Sequence, residues 1–105
     1  MTARIITLAP PEELRARKRM AELAQTFPSL RLAQGVDPFD AEELDRWANG
    51  PVSHGQRVSA QFVLAVWSPE QCWKCGRFNL MGALSLFDPT HHQAFLTWVS
   101  DPWWP

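Results

Sequence analysis

The chain has 105 residues, 46% of them hydrophobic and 20% charged, with a formal net charge of −1. That length gives one domain whose core needs no disulfide staple, and the apolar fraction excludes wholesale disorder. A charge near zero excludes bulk attraction to nucleic acid or to an anionic membrane.

The longest apolar run, residues 62–67, is too short to span a bilayer, and no charged-then-apolar leader opens the chain. Two cysteines fit a reducing compartment, so the expected location is the cytoplasm.

Residues 1–9 read as a short arm with β character at Ile5, Ile6 and Thr7. Pro10 and Pro11 end it, and Glu12 and Glu13 suit the positive end of a helix dipole. Ala16, Met20, Leu23 and Phe27 recur at helical spacing and predict the buried face of a first helix, which Pro28 stops. Residues 29–33 read as a short extended segment pairing with the arm. Asp40 and Glu43 form the acidic variant of a capping box, with Phe39 and Leu44 placed as a hydrophobic staple. This second helix ends at Asn49-Gly50-Pro51, where the pattern predicts a left-handed cap.

Ser53 and Gln56 form a second capping box. The apolar residues that follow surround the helix axis through Trp67, and a helix of that kind belongs in the middle of a domain. One further helical turn is expected to carry Cys72, Trp73, Lys74 and Cys75 and to end at Gly76. Asn79 caps a fourth helix through Leu80, Met81, Leu84 and Phe87. Asp88-Pro89 opens a fifth through Phe95, Trp98 and Val99, which Asp101-Pro102 ends. The expected fold is all-α: one domain over 1–105, a compact bundle of four to five short helices around a central helix at 53–67. An arm at 1–9 and a Trp-rich tail at 102–105 flank it. Its expected core is Leu23, Phe27, Leu44, Trp47, Val58, Phe62, Ala65, Val66, Leu84, Phe95 and Trp98.

The chemistry-bearing residues are few. Cys72 and Cys75 form a C-x-x-C turn, and His91 lies sixteen residues beyond Cys75, a spacing seen in zinc fingers. One such pair is half a zinc site, and His91 and His92 diverge by about 100° on a helix, so at most one of them points at the cysteines. Both cysteines also read as small apolar residues in a helix connection. That simpler reading leads, with zinc the only cofactor considered. No βαβ pattern surrounds the pair to suggest thioredoxin-like redox chemistry, and no Gly-rich phosphate loop, metalloprotease, kinase or dinucleotide motif occurs. The expectation is therefore a protein without catalysis.

Charge is segregated along the chain: six basic and three acidic residues in 1–33, then one basic and five acidic in 34–50. Arg15, Lys18 and Arg19 are candidate partner contacts, as are Trp103 and Trp104. Successive side chains of an extended tail alternate in direction, so one of the two Trp residues should dock and the other stay exposed. The closing Pro102-Trp103-Trp104-Pro105 spells the string that names a chromatin-reading β-barrel family, where it lies early in the barrel. Here it ends a helical chain, and no membership follows. Trp-rich sequence with segregated charge suits an interaction surface. The expected function is a small non-catalytic protein-interaction module. The alternative is a zinc-stabilised regulatory or nucleic-acid-associated module built on Cys72 and Cys75.

Overall fold

The computed structural model describes residues 10–105, and these form five α-helices and no strand. They are α1 (Pro11–Gln25), α2 (Ala41–Ala48), α3 (His54–Trp67), α4 (Leu80–Leu86) and α5 (Pro89–Ser100). The architecture is all-α with α3 at its centre, as the sequence predicts. The arm expected at 1–9 lies outside the described residues.

α1 starts on Pro10-Pro11 with no side-chain cap, whereas the starts of α2 to α5 are fixed by side chains that satisfy amides left free in the first turn. The Asp40 carboxylate accepts from the Glu43 amide, Asn79 from Gly82, and Asp88 from His91. Ser53 and Gln56 make both halves of their box, at 3.1 and 2.8 Å. Each such cap contributes about 1 kcal/mol.

The core gathers on α3, whose Ala60, Phe62, Val63, Leu64 and Val66 are all buried. α1 contributes Met20, Leu23 and Ala24, and Phe27 follows it into the interior. Phe39 and Leu44 are both sealed, which completes the staple at the start of α2. Gly35 makes that entry possible. Its φ is +85°, and a Cβ there would strike the Leu44 amide and the Asp40 carbonyl oxygen.

The structure corrects four expectations. Residues 29–33 are not extended: Pro28–Leu30 form a 3-10 turn. That turn buries Leu30 fully and leaves Leu32 98% exposed, whereas an extended chain would set the two on one face. Asn49 is right-handed at φ −82°. The helix end is held without a left-handed residue: the Gly50 amide donates to the Trp47 carbonyl oxygen, and the Arg57 guanidinium donates to the carbonyl oxygens of Ala48 and Gly50 at 3.1 Å each. The stretch 70–76 is not helical, because the amides of Lys74 and Cys75 donate to the Asp45 carboxylate instead of to a preceding turn. Leu84 is 43% exposed, since the short α4 turns only Ala83 fully inward. Trp47, Val58, Ala65 and Trp98 are half-buried, and the other six expected core residues are buried.

Phe62 is the hub of the interior. Its ring centroid lies 5.6 Å from Phe27, 5.3 Å from Phe78, 5.2 Å from Phe95 and 5.4 Å from Trp98. Phe62→Ala is expected to cost about 3–5 kcal/mol by chemical denaturation, through lost burial and the cavity it leaves. Leu84→Ala should cost under about 1 kcal/mol, as surface positions do. Comparable losses at the two sites would contradict this packing.

Candidate functional site

The C-x-x-C turn is held from two helices. The carboxylate of Asp45 on α2, itself buried, accepts from the Lys74 amide at 3.0 Å and the Cys75 amide at 2.9 Å. Gln61 on α3 donates to the Cys75 carbonyl oxygen at 2.6 Å. The two thiols end in opposite environments. Cys72 is exposed, with Arg77 donating to its Sγ at 3.4 Å, while Cys75 is buried. Burial, reinforced by the adjacent Asp45 carboxylate, pushes the Cys75 thiol up to about 12. A thiol so shifted stays protonated at neutral pH, the reverse of an activated nucleophile.

His91, the third residue considered for a metal, is engaged elsewhere. Its Nδ1 lies 2.8 Å from Asp88 Oδ1 and its Nε2 lies 2.9 Å from Ser29 Oγ. The structure does not bring Cys72, Cys75 and His91 together. Among the described residues, no group of three His, Cys, Asp or Glu side chains is placed to hold a metal ion.

The Ser29–His91–Asp88 chain is invisible in the sequence, because its serine lies 62 residues from the histidine. It has the order of a hydrolytic relay. Its hydrogen bonds, however, are spent on structure. The Ser29 amide donates to the same Nε2 at 3.3 Å, and Ser29 Oγ is 3.2 Å from Ser59 Oγ, which donates to the Gly55 carbonyl oxygen. With Nε2 accepting, Nδ1 carries the proton toward Asp88. The amide and ring of His91 hold the Asp88 carboxyl below its ordinary range. The set ties the 3-10 turn to α3 and to the start of α5.

At the other end of α5 the tail folds back. The Trp98 indole N–H donates to the Trp103 carbonyl oxygen at 3.1 Å, and the Arg19 guanidinium lies 3.9 Å over the half-buried Trp103 ring. Trp104 is 57% exposed and meets Trp98 edge-on at 5.4 Å. Arg15 and Lys18 are exposed on α1, whereas Arg19 is engaged with the tail.

Two surfaces result. One is a groove of about 940 Å³ between α1 and α5, bordered by Leu23, Thr26, Ala94, Thr97, Trp98 and Trp103. The other is apolar: of nine exposed large hydrophobic residues among those described, seven lie between Leu80 and Trp104. No signal in the sequence marks the groove, since it depends on how far apart the fold sets two helices, one ending at Gln25 and the other starting at Pro89. No family model matches the chain, and neither a curated protein nor a solved structure matches it.

The two thiols should differ in reactivity. Iodoacetamide at pH 8 is expected to label Cys72 in the folded protein and to spare Cys75, with both reacting in denaturant. The pH dependence has a definite sign. Folding raises the Cys75 pKa from 9.0 to about 12, so its contribution is complete below 9 and falls away as pH rises toward 12. Melting curves of wild type and Cys75→Ala should therefore differ in slope across that window, and parallel curves would refute the assignment.

The tail gives a second comparison. Trp103→Ala removes a docked ring and its cation–π contact and should lower the melting temperature more than Trp104→Ala. Equal losses from the two variants would mean that both rings belong to the core.

Proposed function

We propose that this chain is a small non-catalytic module that works in the cytoplasm by binding another protein. The observation that supports this most is the concentration of exposed apolar side chains in its C-terminal quarter. Met81 is 74% exposed, Trp104 57%, Leu80 48% and Leu86 46%. Isolated exposed hydrophobics are ordinary, whereas a group of them is a feature of interaction surfaces. Trp, Met and aliphatic side chains with few charges are also the composition of interface cores. α4 carries no charged residue at all, and α5 has no Asp, Glu, Lys or Arg from Pro89 through Ser100.

A lipid bilayer is a poorer partner for this surface. No helix among the described residues is long and apolar enough to cross a membrane, and α4 is only 7 residues long. Nucleic acid is poorer still, because neither α4 nor α5 carries a Lys or Arg, and Arg19 of the basic cluster on α1 is already stacked on Trp103.

The test is a surface variant, Met81→Lys/Leu84→Lys/Val99→Lys, at positions that are 74%, 43% and 43% exposed. It should keep the far-ultraviolet circular dichroism of the wild type. Crosslinking and affinity purification from the native host should then recover a protein with the wild type that the variant fails to retain. An identical set of crosslinked proteins with both would refute the proposal.

A further inference from the structure

We infer that the groove between α1 and α5 receives an amphipathic helix bearing basic residues, presented by the partner protein. This rests on the protein-binding reading above and adds a second, separate contact to it. The walls of the groove are two helix faces. Arg19, Glu22, Leu23 and Thr26 fall on one face of α1 by their spacing, and Thr90, Ala94 and Thr97 on one face of α5. The helices are antiparallel here, since Ser29 meets His91 at one end and Arg19 meets Trp103 at the other. Between those two ties the floor is Leu23, Ala94 and Trp98, and the α5 wall is built mainly from short side chains, Thr90, Thr97 and Ser100, with Gln93 among them.

Low walls on α5 let a third backbone approach closely, and the apolar floor gives it a ridge of side chains to cover. This is the helix-in-groove mode of recognition. The 12 residues of α5 give the groove a length of about 18 Å, matching a helix of about a dozen residues.

Charge selects the occupant. Glu22 and Asp101 border the groove, and neither forms an ion pair among the described residues. The last carbonyls of α5 add partial negative charge at the Asp101 end. The one cation on the border among the described residues, Arg19, is committed to the Trp103 ring. A helix with Leu on one face and Lys or Arg on its flank meets all of these at once. The apolar face adjoins the groove without lining it: at 100° per residue Val99 lies on the side of α5 opposite Thr90 and Thr97, and Leu96 about 100–120° round from them.

The probe is a fluorescein-labelled amphipathic Leu/Lys peptide of about 14 residues, titrated against the full chain by fluorescence anisotropy, with a Leu/Glu peptide of the same pattern beside it. The Leu/Lys peptide should bind about tenfold tighter. Glu22→Lys/Asp101→Lys should invert that preference. Thr97→Trp, an exposed position that fills the groove, should abolish binding of both peptides.

Met81→Lys/Leu84→Lys/Val99→Lys should leave peptide binding unchanged. Peptide binding that survives Thr97→Trp but is lost in this last variant would overturn the groove assignment and leave the protein-binding reading standing. A dimer, seen by sedimentation, that Thr97→Trp dissociates would also overturn it, by showing a second copy of the chain in the groove. Peptide binding insensitive to both Glu22→Lys/Asp101→Lys and Thr97→Trp would overturn the groove assignment, while the crosslinking comparison above decides the protein-binding reading on its own.

Discussion

The fold depends on one ring. Phe62, near the middle of α3, is the point at which the segment after α1, the 76–79 segment and α5 meet, through Phe27, Phe78, Phe95 and Trp98. The contacts to Phe95 and Trp98 are edge-on, at interplanar angles of 73° and 82°, the arrangement aromatic quadrupoles favour. Phe87 extends the cluster by stacking on His91, which sits 6.0 Å from Phe27. α5 thus stands on large side chains rather than packing backbone to backbone. Its buried flank is spent on α3, and its next flank faces α1 across open space. The groove follows from that arrangement.

A second set of interactions holds the irregular segments, and it is polar. Asp45 is buried and ionisable, a placement that is costly unless its oxygens are hydrogen-bonded. Two amides of the Cys72–Cys75 turn meet that need, and such bonds to a carboxylate are stronger than neutral ones. Arg57 does the same for the carbonyls that end α2, and Gln61 for the carbonyl of Cys75. Three side chains from α2 and α3 therefore set the course of two connections that have no secondary structure of their own. The cysteines are positioned by this network. It encloses one thiol and leaves the other at the surface.

Much of the fold was legible in the sequence because its signals are local. Asp40, Ser53, Asn79 and Asp88 each lie within three residues of the amide they cap, so position alone identified them. The apolar girth of α3 likewise predicts its central place. The misreadings share a physical cause, which is that distant side chains decided the outcome. Residues 70–76 look able to form a helical turn, but Asp45, about thirty residues earlier, takes their amides. Asn49 looks like a left-handed cap, but Arg57, from the next helix, holds the carbonyls of Ala48 and Gly50 on either side of it. Leu84 has the composition of a core residue on a helix too short to bury it.

The candidate site divides in the same way. The contrast between Trp103 and Trp104 follows from the alternation of an extended chain, and Arg19 could be singled out though not its ring partner. The groove, the Ser29–His91–Asp88 chain and the exposed face of α4 all arise from tertiary placement.

Hydrogen exchange read by mass spectrometry on Phe62→Leu tests the central claim most directly, since that substitution keeps an apolar side chain and removes only the ring. If aromatic contacts through Phe62 are what hold α5, its amides should lose protection preferentially, while those of α2, capped by Asp40 and stapled by Phe39 and Leu44, keep theirs. Uniform loss across all five helices, or full protection of α5, would contradict the account.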